Sequence, residues 1–534
     1  MEELFLKTLT LKQKIGQLMV IGFHGLTVPE NFSELIKEYQ IGGVILFGRN
    51  VGTPEEVLNL TTQLQKSAKE AGNEQPLLIC LDQENGMVRR LGDGTTTFPG
   101  SMLLGATKDK QNAFDIGYAT GKELKALGIN WNLAPVLDVN NNPDNPVIGV
   151  RSFGETPELV SEFGTEIMKG MQKAGILTTL KHFPGHGDTN VDSHLDLPVI
   201  AHDMDRLREV ELKPFKKAID EGADTVMSAH VYFPALEKEE NKPATLSKNV
   251  LTGLLREELG FEGVITTDCL EMQAISNTIG TEKGAVEAFK AGVDLLMISH
   301  NYDVQVGALK ELEEAFETGD LSVERLDASV KRITEMKGKY VSWDQVDALT
   351  QANLKNEVGT EEARHLAEEV YKKGVTIVKD EDSLIPIKEN AKVLVVFPDN
   401  GHTVLVEDKR FTELNVKPII KEIDSKAEVF IINKLEEETS LTNFLQKAEN
   451  ADYVIVGTLN ARAGDRQTEL IKKVRQVNGQ TIGLGLRSPY DLNHYPEIST
   501  YLTTYEYTEP AVKTSFKALY GLASIKGSLP VSLK

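Results

Sequence analysis

The stretch "ILTTLKHFPGHGDTNVDSH", Ile176–His194, changes character half-way. Its first eight residues are a near-continuous apolar, β-rich run. Its remainder is turn-formers, acids and histidines. A run that does not alternate polar with apolar is the mark of a strand buried on both faces, as in parallel sheets. Seven further runs share that form: "QLMVIGF" (17–23), "GGVILF" (42–47), "PLLICLD" (76–82), "INWNLAPVLDV" (129–139), "DTVMSAHV" (224–231), "GVITTD" (263–268) and "VDLLMIS" (293–299). Helical patterns lie between them. "TPEEVLNLTTQLQKSAKEAG" (53–72) and "PELVSEFGTEIMKGMQKAG" (157–175) open on proline and close on glycine, which are helix start and stop signals.

Eight such strands, each followed by a helix or long loop, predict an α/β protein with an N-terminal (β/α)8 TIM barrel over residues 1–340. A doubly wound sheet is the competing architecture, and eight consecutive parallel strands favour the barrel. A linker is expected over 341–364. A C-terminal α/β sandwich is expected over 365–534, where "KVLVVF", "AEVFIIN", "ADYVIVGTLN" and "TIGLGLRSPYDL" read as strands.

Composition narrows the partners. The 534 residues exceed one ordinary domain, and 40% apolar with 26% charged residues is normal for a globular chain. A net charge of −22 argues against a nucleic-acid or anionic-membrane partner, since both need a basic face. The start "MEELFLKTLTLKQKIGQLMVIGF" lacks the basic region and cleavage site of a signal peptide, and no apolar run is long enough to span a membrane. A cytoplasmic protein is expected. Cys80 and Cys269 have neither disulfide nor zinc spacing and are expected as buried thiols.

In a TIM barrel, chemistry belongs at the C-terminal strand ends. Strand three ends at Asp82, followed by "QENGMVRR" with Arg90. Strand four leads to a long loop carrying Arg151. Strand five ends at Lys181 and His182, strand six at His230 and strand seven at Asp268. Together they predict a pocket on one rim. Each has a plainer reading. Asp82 and Asp268 could cap helices, and Lys181 could neutralise a nearby acid. Met227 and Met272 read as packing residues.

The run 181–194 supports three readings. His182, His186, Asp188, Asp192 and His194 could ligate a metal, but Pro184-Gly185 breaks the helix that an i, i+4 histidine pair requires. "PGHGDT" lacks the spacing of a phosphate loop. Asp192 and His194 are two apart, so in an extended loop their side chains point the same way. An aspartate touching an imidazole orients it and raises its pKa, giving a proton donor near neutral pH. With a carboxylate at the end of strand seven, this suggests double displacement at a glycosidic carbon, with histidine where glycosidases usually place a second carboxylate.

"KHFPGHGDTNVDSH", "FEGVITTDCLEM", "VIGVRSFG", "LDQENGMVRRL" and "PATLSKNVLTGLLREELGF" together resemble family 3 glycoside hydrolases of the β-N-acetylglucosaminidase (NagZ) type. The resemblance covers the barrel and reaches the second domain, where "GLRSPYDL" is similar to two-domain Gram-positive members. It implies Asp268 as nucleophile, His194 as acid/base and Asp192 as its dyad partner. It implies Asp82, Arg90, Arg151, Lys181 and His182 as sugar-binding residues, no cofactor and no metal. His230 receives no role. Asn85 and Met87 replace a glycine and an arginine of the usual "DQEGGRV", and Cys269 follows the nucleophile where an acid or small residue is common, which leaves fine specificity open.

The implied reaction is removal of terminal GlcNAc from peptidoglycan fragments in cell-wall recycling, or from chitooligosaccharides, by a monomer or homodimer. Four alternatives remain, one of them a β-glucosidase, which would not need His194. A neutral imidazole does not repel an anionic acceptor, so phosphorolysis is possible. A catalytically retired sugar-binding protein would be favoured only by loss of Asp268, Asp192 or His194. A metallohydrolase would lose activity to a chelator.

Overall fold

The computed structural model describes residues 9–193, 195–398, 405–411, 414–435 and 437–533. Eight parallel strands form the first sheet: β1 Met19–Ile21, β2 Gly43–Ile45, β3 Leu78–Leu81, β4 Trp131–Asn132, β5 Leu177–Phe183, β6 Thr225–Ser228, β7 Val264–Thr267 and β8 Leu296–Ile298. They pair in chain order, and β1 also pairs with β8, Val20 opposite Met297. The ring closes between β7 and the entry to β8 by a single bridge, Thr266 opposite Leu295, rather than a full ladder. The architecture is the expected TIM barrel.

Two strands depart from their apolar runs. The run 129–139 pairs as strand only at Trp131–Asn132. Pro135 has no N–H to give a ladder, so beyond it the chain holds β5 by one bridge, Val136 opposite Lys181, before Asp138 turns inward. In β5 the register against β6 shifts between Leu180 and Phe183. Successive strand side chains normally point to opposite faces. The shift lets Lys181 and His182 both line the barrel mouth.

The helices follow the sequence signals. Thr53 caps Pro54–Glu70 in a capping box with Glu56, and Thr156 caps Pro157–Lys173, each with proline in the first turn. After the helix Val323–Tyr340, the short helices Trp343–Asp347 and Gln351–Glu357 lead to Glu361–Gly374.

The second sheet comprises β9 Thr376–Asp380, β10 Val393–Phe397, β11 Glu428–Ile431, β12 Tyr453–Thr458, β13 Thr481–Gly485 and β14 Thr500–Thr503. Its order is β11-β10-β12-β13-β14-β9, with β9 antiparallel at the edge. Alternation along β10 builds the sandwich. Val393, Val395 and Phe397 pack with the helices Val416–Ile423 and Glu509–Leu519, whereas Leu394 and Val396 pack with Glu438–Glu449 and Arg466–Val477.

The two units share core. Val370, Tyr371, Val375 and Tyr505 belong to the barrel's apolar cluster. Glu506 accepts from Gly100 N (2.7 Å) and Tyr371 Oη (2.7 Å). Both cysteines are buried free thiols. Among the described residues, no helix is long and apolar enough to cross a membrane.

Candidate active site

The C-terminal strand ends enclose a cavity of about 390 Å³. Asp82, Arg90, Arg151, Lys181, His182 and Asp268 line it, so the structure brings these six candidates together. Ser193 also lines it, and Asp192 beside it is buried. His194 lies outside the described residues.

Behind the cavity wall is a lattice of buried charges. Lys181 Nζ sits 2.8 Å from Asp82 Oδ1 and 2.6 Å from Glu84 Oε1. Arg90 Nη2 donates to Asp82 Oδ2 at 3.1 Å. Arg151 grips Glu84 with two donors, Nε at 2.9 Å and Nη2 at 2.8 Å. Burial alone would push both carboxyls up, but Lys181 with Arg90 holds Asp82 well below the usual carboxylate range. Arg151 and Lys181 bring Glu84 down to about 2. Both acids are therefore ionised at any working pH. Lys181 does neutralise nearby acids, and it does so at the cavity wall, so its plain and functional readings coincide.

A second cluster orients the histidines. Asp138, wholly buried, contacts His182 Nδ1 (2.7 Å) and accepts the backbone N–H of His186 (2.7 Å). The Asp138 contact fixes the orientation of the His182 ring, whose Nε2 lies 3.5 Å from Arg151 Nη2. His186 Nδ1 and Nε2 reach Thr189 Oγ1 and Ser193 Oγ, each at 3.0 Å, and burial brings its pKa down to about 4. Asp188 contacts His202 Nε2 at 2.6 Å. The metal reading of the run 181–194 needs His182, His186 and Asp188 to converge, and each is instead engaged by a different partner.

Asp268 stands past the end of β7, with Oδ1 accepting the Cys269 N–H at 2.7 Å. The next helix, Gln273–Ser276, starts after Met272 and has no side-chain cap, so Asp268 does not cap it. Asp82 precedes the helix Ser101–Ala106 by a long loop and caps nothing either. His230 lies behind the site. It is buried between Thr245 Oγ1 (2.8 Å) and the Cys269 carbonyl (3.0 Å), supporting the turn that carries Asp268. Burial pushes the Cys269 thiol up to about 12, so it presents no thiolate. Met227 and Met272 line the cavity.

Cys269, Glu271 and His300 place potential ligand atoms within 4.8 Å of one another. The Glu271 carboxylate accepts three backbone N–H groups, from Ser299, His300 and Asn301. The Arg49 guanidinium donates to His300 Nδ1 at 3.0 Å. A carboxylate saturated by amides beside a guanidinium is a poor cation site.

Sequence reasoning missed Glu84, Asp138 and a second-domain segment, Leu405–Lys409, that also lines the cavity. Glu84 stands two residues after Asp82, a spacing that signals a shared face. Asp138 stands next to last in the run 129–139, much as Asp82 ends the run 76–82. The second-domain segment carries no such signal.

A family model described as "Glycosyl hydrolase family 3 N terminal domain" matches residues 10–336. The chain belongs to glycoside hydrolase family 3. The family 3 chain is 33% identical to "Beta-hexosaminidase A" of Pseudoalteromonas piscicida, over 98% of this chain and 97% of that one. It superposes on a family 3 β-N-acetylglucosaminidase from Paenibacillus sp. str. FPU-7 with a TM-score of 0.90, at 41% identity, covering 98% and 99% of the two chains. A fungal multi-domain family 3 β-N-acetylglucosaminidase gives a TM-score of 0.91 at 38% identity, with 98% of this chain covered and 61% of that longer one. The protein is a glycoside hydrolase, and its substrates are carbohydrates.

Proposed function

We propose that this glycoside hydrolase is a retaining exo-β-N-acetylglucosaminidase, acting on peptidoglycan fragments in cytoplasmic wall recycling or on chitooligosaccharides. The observation that carries the reading is Asp268, presented to a cavity whose wall is the buried lattice of Asp82, Glu84, Lys181, Arg90 and Arg151. Two solved relatives above are named as β-N-acetylglucosaminidases, which supports the choice of sugar. Residues 1–340 form the catalytic unit in this reading, 341–364 the link and 365–534 the second domain.

The proposed reaction has two halves. In the first, an Asp268 carboxylate oxygen attacks the anomeric carbon while the His194 imidazolium gives its proton to the departing glycosidic oxygen. This leaves a glycosyl ester on Asp268 and a neutral imidazole. In the second, that imidazole takes a proton from water, water attacks the anomeric carbon, and Asp268 leaves as carboxylate. Asp192 holds the imidazole and stabilises its charged form. Asp82 and Lys181 hold ring hydroxyls with acceptors and donors already fixed, so the sugar binds without reorganising the site. Arg90 and Arg151 keep the carboxyls of Asp82 and Glu84 ionised and, with His182 oriented by Asp138, complete the proposed sugar-binding set.

The test is turnover of 4-nitrophenyl β-N-acetylglucosaminide, with and without chelator, by wild type and His194→Ala. Wild-type turnover should survive chelator. The variant should stall at the glycosyl-enzyme and be rescued by azide, giving the β-glycosyl azide. No wild-type turnover, loss to chelator, or α-configured azide would each overturn the reading. Faster release with phosphate, giving GlcNAc-1-phosphate, would make it a phosphorylase.

A further inference from the structure

The barrel cavity is closed on one side by a strap from the second domain. Leu405–Lys409 line the cavity, and the segment through Phe411 is pinned to the barrel. Arg90, whose Nη2 holds Asp82, gives its Nη1 to the Val406 carbonyl at 2.9 Å. Arg410 donates to the carbonyls of Val51 and Arg90, both at 2.7 Å, and pairs with Asp408 at 2.8 Å. Val406 packs on Val147 and Ile148 of the loop that carries Arg151. Glu407 ties the strap to its own domain through Arg487 at 2.7 Å, with both side chains buried.

The barrel makes room for the strap. A Cβ at Gly48, just past β2, would lie 1.8 Å from Asp408 Oδ2 and 2.8 Å from Arg410 Nη2. A Cβ at Gly92 would meet the Phe411 ring at 3.0 Å. Two glycines facing one segment mark a built contact.

The strap's position fixes which end of the sugar it covers, given the reaction proposed above. The proton donor is on the loop after β5, so the departing oxygen lies on that side. That loop is stitched to 142–145, where Asn145 Nδ2 donates to Gly187 O at 2.8 Å. In the reading above Asp82 holds ring hydroxyls, which lie away from the departing oxygen, and the strap rests on Arg90 beside Asp82 and on Gly48 past β2. We infer that strap 405–411 restricts the enzyme to exo-action by closing the cavity past the non-reducing edge of the bound sugar, so that a ring bearing a further glycosyl unit there does not fit. Arg410 and Gly48 position the strap and do not touch the reacting atoms.

The experiment compares wild type, Arg410→Ala and Gly48→Ala on 4-nitrophenyl β-N-acetylglucosaminide and on 4-nitrophenyl N,N′-diacetyl-β-chitobioside, with sugar products separated. Wild type should release GlcNAc units only from the second substrate. Each variant should release intact chitobiose about tenfold or more above wild type, as expected when a steric exclusion is relieved. Turnover of the monosaccharide substrate should stay within about threefold. Arg410 is part-exposed, so its variant keeps the test alive if Gly48→Ala fails to fold. Chitobiose release by wild type overturns the inference. So do folded variants that turn over the monosaccharide and still yield GlcNAc alone, and variants that lose both activities together. Failure of wild type on the monosaccharide substrate is a different result and strikes the glucosaminidase reading itself.

Discussion

The barrel carries a buried ion network at each end, and the two are built differently. At the N-terminal end, Asp294 is wholly buried just before β8. It accepts from Arg256 Nη2 (2.5 Å), Arg332 Nη2 (2.8 Å), Arg325 Nη1 (3.2 Å), Ser329 Oγ (2.7 Å) and Ile265 N (3.0 Å). Those donors saturate one carboxylate. At the C-terminal end, Asp82 and Glu84 share Lys181, while Arg90 pairs with Asp82 and Arg151 with Glu84, and all of these except Glu84 also border the cavity. Burial of paired charge therefore does not distinguish function from architecture. The difference is whether the network keeps a face for a ligand. The closed network anchors helices to the barrel floor, and the open one holds polar groups fixed for a sugar.

The comparison breaks most sharply at Asp268. Asp268→Asn should lower kcat on the nitrophenyl glycoside by about 10⁴-fold or more, as for loss of a nucleophile. The variant should still fold, because Asn keeps the side-chain oxygen that accepts the Cys269 N–H. Comparable kcat in the variant would remove the nucleophile assignment.

Glu84→Gln tests the open network. It leaves Lys181 and Arg151 short of a buried counter-charge, a defect worth about 3–5 kcal/mol of stability. It should also cost about 10²-fold in kcat/KM by misplacing the sugar-holding groups. The pH dependence has a definite sign. Glu84 is held at about 2 in the folded protein, below its unfolded value of about 4.3. Its contribution is complete above the unfolded value and is lost as pH falls through about 2. Acid titrations of wild type and variant should converge there.

Asp294→Asn should cost a similar ~3–5 kcal/mol, since three guanidinium groups lose their shared carboxylate. Its kcat/KM at 25 °C should equal wild type. Denaturant unfolding paired with kinetics checks both halves. A catalytic defect in the folded variant would show that the floor of the barrel communicates with the rim.

The rim was largely legible because apolar runs end where polar residues begin, and the barrel assembles those ends. The pairings were not legible. Lys181 reaches two carboxylates about a hundred residues earlier, and Arg256, Arg325 and Arg332 meet Asp294 from two separate helices. Asp138 was inconspicuous near the end of the run 129–139, but the paired strand stops at Asn132 and the carboxylate meets His182. The strap was the least visible element. Arg90 and Val406 stand 316 positions apart, and no local pattern specifies a contact at that separation. The runs of apolar residues thus carry topology, whereas the site depends on long-range charge pairing that only the folded chain reveals.

The smallest effect sharpens the contrast at the closed end. Lys337, on the helix Val323–Tyr340, is buried and donates to Gln17 Oε1 at 3.1 Å. Burial brings its pKa down to about 7, below an unfolded value of about 10.4. The unfolded chain therefore binds more protons between those values, and stability rises with pH across that window. Lys337→Met removes the ammonium while keeping most of the side-chain volume. It should raise the melting temperature by a few degrees at pH 7, about what 1–2 kcal/mol gives in a large domain. The gain should shrink toward pH 10, and kinetics should not change. A variant melting below wild type at pH 7 would mean that the ammonium is held by the Gln17 carboxamide well enough to stabilise the floor. Lys337 would then join Asp294 as a structural charge rather than a tolerated one.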